Sequence, residues 1–458
     1  MPNLILHDPQ YDIAIIGGGI LGASVAYFLS SIAKSRIVLV EQEKSVAFHT
    51  SSRNTGKVHA PFLYDPAKKR FFAKAASLGF KMWKEYCEEK SLPFIQDGVI
   101  EVATSESGIG RLNNYITWGV ANGLEEGKDF WLLDKNQVKQ IEPNVDCKSA
   151  ILCGKDASVN YGLITQNLIQ DSELLGCKIL LGSKVRGISS HEIKSPNIKL
   201  LLRSGKRDYT ITTQYLINAA GGNAVDIAHS LGIAKVYSDL HFRGEYWQAP
   251  AEYFNLTKRS IYSIPKFPEY PFLDPHWIVR IDGRREVGPN ALPIFGPYAY
   301  NWITNAKYLI PKIIESIRAR GTYRILLDRR LLSLLGHEVR SSLSKTVMIN
   351  RVKKFLPQLN ASKFIQRGTA GIRSLLVGPE GRFVPDTMVL KEDYSMHILN
   401  YNSPGATGAL PMGAAIVSDL LHSGIIQNDS IVKGREKKPI WDIQQISSLM
   451  QLDEIRWS

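Results

Sequence analysis

A chain of 458 residues with 44% hydrophobic and 22% charged residues has an ordinary globular composition and can form two or three domains around a large core. That composition excludes a disordered, collagenous or disulfide-scaffolded chain. The formal net charge of +13 bears on partners, admitting nucleic acid, an anionic lipid surface or an anionic substrate, and leaves the fold open.

The N-terminus, MPNLILHDPQYD, has neither the basic start of a signal peptide nor the Arg-rich character of a transit peptide, so a cytoplasmic location is expected. Tyr11 to Ile16 reads as a short buried strand, followed at once by Gly17-Gly18-Gly19-Ile20-Leu21-Gly22 and the apolar helix ASVAYFLSSIA. This is GxGxxG in its required setting. Gly17 makes the turn, Gly19 lets backbone approach a pyrophosphate, Ile20 and Leu21 open the helix beneath it, and Gly22 lets helix and strand pack closely. A second strand, RIVLVE, ends in Glu41 and Gln42, about 20 residues on, where a carboxylate accepts ribose hydroxyls and repels a 2′-phosphate.

The small polar segment HTSSRNTGKVHA follows. Its Thr50, Ser51, Ser52, Asn54, Thr55, Gly56, Lys57 and Val58 are suited to running hydroxyls and backbone along a pyrophosphate and a flavin ring, which favours FAD over NAD. With no second GxGxxG and no CxxC, the substrate itself should reduce the flavin. The cysteines Cys87, Cys147, Cys153 and Cys177 show no metal spacing and fit a reducing compartment.

Further along, LINAAGGNAVDIAHSLG reads as strand, small-residue turn and helix. Val185, Ala219, Ala220 and Gly221 are assigned to the cofactor site with it. The alternating segments FRGEYWQAP, RSIYSIP, HWIVRIDG and REVGPNALPI predict an antiparallel sheet over the flavin. Between Lys312 and Lys354, nine basic residues from Arg318 to Lys353 face only Glu315, Asp328 and Glu338 in mostly helical sequence. This region is either a solvated face or an amphipathic surface leaning on lipid. No basic motif interleaved with aromatics points to nucleic acid, and no apolar run approaches the roughly 20 residues of a membrane span. HILNYNSPGATGALPMGAAIVSDLL again reads strand, turn, helix, bringing Ser403, Pro404, Gly405, Ala406 and Thr407 to the flavin's pyrimidine edge.

The predicted fold class is α/β, α+β overall. A Rossmann-like FAD domain is assembled from residues 1–75, 150–232 and 366–432, an antiparallel-sheet substrate domain from 76–149 and 233–365, and a tail from 433–458 ends in a short helix.

Several segments carry a resemblance. Arg53 to Ala60 (RNTGKVHA), FRGEY at Phe242 to Tyr246, IYSIPKFPEYPFLDPHW, EVGPNALPIFG, EVRSSLSK, AGIRS at Ala370 to Ser374, and NSPGATGALPMGAAIV occur in family order. Together they resemble the D-amino-acid-oxidase-like superfamily of FAD-dependent oxidoreductases, and within it the L-2-hydroxyglutarate dehydrogenases and oxidases. The resemblance implies oxidation of L-2-hydroxyglutarate to 2-oxoglutarate, with electrons passed to a quinone, a membrane chain or oxygen. SPGAT, where a SPAAT-like run is usual, also resembles malate:quinone oxidoreductases, and the flavin loop is similar to that of glycerol-3-phosphate dehydrogenases. A non-catalytic flavoprotein docking an acidic partner or RNA is the alternative of another class.

Such an oxidation needs a base for the hydroxyl proton and cations for carboxylates. His276, in the PHW strand start, leads as base and His59 follows. Arg373 offers a bidentate clamp, while Arg243, Tyr246, Tyr262, Arg280 and Lys57 are candidates for the substrate pocket. No metal site is expected.

Overall fold

The computed structural model describes residues 9–190, 197–427 and 441–450. The first strand, Gln10–Ile16, lies between Ile37–Val40 and Arg207–Asn218. With Lys178–Leu180 beyond the former and Ser395–Leu399 beyond the latter, five parallel strands adopt the order of a dinucleotide-binding sheet. An antiparallel ribbon, Ser183–Ser190 with Ile198–Ser204, pairs with the first half of Arg207–Asn218, and Met388–Glu392 pairs antiparallel with Ser395–Leu399 beyond its second half, so both additions extend the same side of the sheet, opposite Lys178–Leu180.

The helix Ile20–Ile32 is apolar nearly all round, so it must be covered on every side. Every residue from Ile20 to Ser31 is buried, and the helix packs against Tyr161–Leu174 and Ala409–His422. Its crossing with Ala409–His422 is close because Gly413 has no side chain: a Cβ there would lie 2.9 Å from that of Ser24. Helix Arg70–Glu89 adds Phe71, Ala75, Met82, Trp83 and Tyr86 to this core. Residues 76–89 were expected in the substrate region, but they pack on the nucleotide side. The contact is specific, since Gly79 abuts the Thr407 carbonyl and the Trp83 indole donates to that same oxygen at 2.8 Å.

The sheet expected over the flavin divides into two. Ser238–Gly244 pairs with Leu292–Ile294 and Gly371–Val377 in a three-stranded antiparallel sheet. The chain then turns at Glu245, whose amide donates to Asn290 Oδ1 at 2.8 Å, and enters an eight-stranded sheet. That sheet is antiparallel except where Ser260–Ser263 runs parallel to Val99–Ala103. These two strands are far apart in sequence, so no hairpin forces them antiparallel.

The basic region is helical as expected, in Trp302–Arg318, Arg320–Leu326, Arg329–Leu343 and Lys345–Lys353. Its charge is partly internal. Lys312 pairs with Asp239, and Arg351 with Asp274 and Glu338. The terminal helix Ile443–Met450 buries Ile443, Ile446 and Met450 against Ala409–His422. Residues 433–440 and 451–458 of the expected tail lie outside the described residues, as do residues 1–8.

Candidate active site

Two cavities of about 140 and 250 Å³ share Gly19, Ser51, Ala219 and Gly221 and together form one long cleft. The smaller is lined by Gly17, Glu41, Gln42, Val185 and Ala220. Gly17 adopts φ +111°, and a Cβ there would sit 2.5 Å from the Ala219 carbonyl, so only glycine fits this turn. Gly22 is equally constrained, its Cβ position lying 2.0 Å from the Gly17 oxygen. The helix that follows has no side-chain cap at Gly19; instead Ser51 Oγ accepts from the Ile20 amide at 2.9 Å. Its positive end, with Leu21, borders the larger cavity. Glu41 accepts from the Gly18 amide at 2.6 Å and the Glu43 amide at 2.8 Å, while burial pushes its carboxyl pKa up.

The loop that follows is self-braced. Asn54 donates to the Thr50 and Ser51 carbonyls at 2.9 Å and accepts from the Gly56 amide at 2.8 Å, leaving Thr50, Ser51, Asn54 and Thr55 along the larger cavity. Ser52, Gly56 and Val58 do not line either cavity, nor does Gly22; they shape the walls from behind. Lys57 borders the cavity, but its ammonium is engaged elsewhere. It donates to Asp97 Oδ2 and Ser158 Oγ, both at 2.6 Å, so the expectation that Lys57 serves the substrate pocket is corrected.

At the far end, His59, Tyr246, Tyr262, His276 and Arg373 meet the terminal segment Ser403 to Thr407. His59 Nδ1 lies 3.3 Å from the buried Asp156 Oδ2, and the His59 amide donates to Thr407 Oγ1 at 3.0 Å. The carboxylate fixes the Nδ1–H tautomer and leaves Nε2 as acceptor. His276 is differently placed. Its Nδ1 pairs with the Asp274 carbonyl at 3.0 Å, its ring lies 4.1 Å from that of Tyr262, and burial pushes its pKa down to about 3. Arg373 donates to the Pro271 carbonyl at 2.6 Å and, among the described residues, meets no carboxylate within ion-pair distance.

Arg243 and Arg280 do not line the cleft. Strand alternation explains Arg243: its neighbour Phe242 faces the cavity, opposite Arg373 in register, while Arg243 turns to Glu245 at 2.8 Å and the Ala299 carbonyl at 3.1 Å. Arg280 is held by Glu286 and braces the flavin loop through the Asn54 carbonyl.

Sequence reasoning missed Asp156, which looks like an ordinary turn residue in GKDAS, and the Tyr161 hydroxyl 3.3 Å from Thr407 Oγ1. It also missed Glu101, opposite Tyr262 in register, fully buried with neither oxygen hydrogen-bonded among the described residues. Burial, helped by Asp274, pushes its pKa up to about 8. A lone acid in the apolar run VIEVA was a readable signal for it.

The long cleft, its glycine turn and the helix end that borders it fit a dinucleotide whose ring system extends to the histidines. Residues 12–419 match the family model of the FAD dependent oxidoreductases. The chain belongs to the FAD-dependent oxidoreductase family. Among curated relatives, the L-2-hydroxyglutarate dehydrogenase of Escherichia coli (strain K12) is 31% identical over 410 residues, covering 89% of this chain and 93% of that protein. The L-2-hydroxyglutarate dehydrogenase of Salmonella houtenae is 32% identical over 411 residues, with the same coverage of 89% and 93%. In fold, this FAD-dependent oxidoreductase is similar to the FAD-bound L-alpha-glycerophosphate oxidase of Mycoplasma pneumoniae, with a TM-score of 0.72 at 19% identity over 94% of this chain and 97% of that one.

Proposed function

We propose that this enzyme oxidises L-2-hydroxyglutarate to 2-oxoglutarate and passes the electrons to a quinone, a membrane chain or oxygen. The observation that carries the proposal is the wall of the larger cavity, where His59, backed by the buried Asp156, shares one space with Arg373, a cation without a carboxylate partner among the described residues. The names of the relatives support the same substrate.

Glu41, Gly17, Gly19, Ile20 and Leu21 would hold the nucleotide half of FAD, and Thr50, Ser51, Asn54 and Ser403 to Thr407 the flavin half. When bound, FAD supplies the two-electron acceptor for the C2 hydrogen. Arg373 binds a substrate carboxylate through its bidentate fork and so orients C2. His59 takes the hydroxyl proton at Nε2, and Asp156 stabilises the imidazolium that results. His276 stays neutral and, with Tyr262, packs the wall that keeps water out.

Anaerobic addition of L-2-hydroxyglutarate to the purified holoenzyme should bleach the flavin band near about 450 nm. A band that persists with this acid but bleaches with L-malate or glycerol 3-phosphate would reject the substrate while leaving the family untouched.

A further inference from the structure

The helix Trp302–Arg318 is amphipathic in the wrong sense for water. Its outward residues are apolar: Trp302 is 66% exposed, Ile303 76%, Ile310 69%, Ile313 47% and Ile314 45%. Spacings of seven and eleven residues from Ile303 to Ile310 and Ile314 place them along one face. Its inward residues are polar. Asn305 accepts from the Phe295 amide at 2.7 Å, and Lys312 donates to Asp239 Oδ1 at 2.6 Å and Glu315 Oε2 at 2.8 Å. A helix lying on a protein in water shows the opposite pattern.

The orientation is locked. Rolling the helix to bury its isoleucines would draw the Lys312 ammonium out of a buried ion pair and leave Asp239 with only the His241 ring at 3.3 Å. The apolar surface continues onto the next turns, with Tyr323 62%, Leu327 59% and Leu332 50% exposed. Together these residues make a patch of the kind that marks an interaction site.

We propose that this face docks the enzyme on an anionic lipid bilayer. Basic side chains flank the patch. Lys307 and Arg329 make no ion pair among the described residues, and Arg330 reaches Glu269 only at 4.0 Å. Charge decides between a bilayer and a second copy of the chain. A two-fold contact would set this basic rim against itself, whereas acidic headgroups complement it. Trp302 and Tyr323 have the amphipathic rings that settle at a headgroup boundary. No helix among the described residues is long and apolar enough to cross a membrane, so the attachment is peripheral and parallel to the surface. The docking helix follows closely on a cofactor wall, since Pro297 and Tyr298 line the smaller cavity. The proposal stands independently of which acid is oxidised.

The test is co-sedimentation of the full-length holoenzyme with vesicles of phosphatidylcholine containing about 30% phosphatidylglycerol, against pure phosphatidylcholine. Binding is expected on the anionic vesicles and should weaken with salt. The double variant Ile310→Glu/Ile314→Glu should bind at least about tenfold more weakly, and Arg329→Glu/Arg330→Glu should lose the preference for anionic lipid. Dye-coupled turnover of soluble substrate should be unchanged in both, because none of these residues lines the cleft. Brominated acyl chains should quench tryptophan fluorescence in the parent, and Trp302→Phe should remove that part of the quenching. A holoenzyme that stays in the supernatant with both vesicle types overturns the proposal. So does a concentration-dependent dimer that Ile310→Glu dissolves, which would assign the face to a second copy.

Discussion

The two ends of the cleft are built from different materials. The nucleotide end is mostly backbone: a glycine turn, a helix end and one carboxylate, all within residues 10–43. The reacting end is mostly side chains, with His59, Asp156, Tyr262, His276, Arg373 and Thr407 each arriving on a separate segment. Backbone sites depend on local geometry and tolerate no added atom, whereas side-chain sites depend on long-range packing and lose function in degrees.

That contrast can be broken most severely at the nucleotide end. Gly22→Ala puts a methyl group 2.0 Å from the Gly17 carbonyl, and the expected outcome is protein purified without a visible flavin spectrum. A yellow, active Gly22→Ala enzyme would show that the turn can shift to accommodate a side chain. At the reacting end, His59→Gln should keep the flavin band while kcat falls by about 10²–10⁴-fold, the usual range for a lost general base. His276→Gln should cost about tenfold or less, because its imidazole already serves as a neutral wall group. Reversal of that order in steady-state assays would restore His276 as the base.

Arg373→Met should raise KM for the dicarboxylate by about 30-fold, corresponding to about 2 kcal/mol for a charge-assisted contact, with the flavin spectrum unchanged. The smallest effect concerns stability alone. Glu101 titrates in the folded protein at about 8, above its ordinary value of 4.5. Between those values the folded chain holds a proton that the unfolded chain releases, so this group's contribution to stability is full below pH 4.5 and declines as pH rises toward 8. Glu101→Gln should flatten that decline and melt above the parent at pH 8. Equal slopes in thermal melts across this range would show that Glu101 is ionised in the fold.

The same division explains what could be read from the sequence. The glycine turn, Glu41 and the small-residue strand ends are local patterns with one mechanical purpose, and they were legible. The pairing of His59 with Asp156 joins positions 97 residues apart through a fold that no local pattern encodes. Arg243 was misplaced because alternation on a short strand cannot be phased without knowing which neighbour faces the cavity, and Phe242 does. Lys57 was misplaced because its partners, Asp97 and Ser158, come from two other segments. The division of the roof into two sheets likewise depends on Gly371–Val377 returning from late in the chain to pair with Ser238–Gly244.

The strand Ser395–Leu399 and the Thr407 clasp on His59 also set an order of events in synthesis. The dinucleotide turn leaves the ribosome well before the fifth parallel strand, so a nascent chain halted before Ser395 has a place for phosphates but no closed wall for the ring. Cofactor capture should therefore wait for that strand, and chain-terminating mutations ahead of Ser395 should be as damaging to flavin retention as lesions in the glycines of the turn.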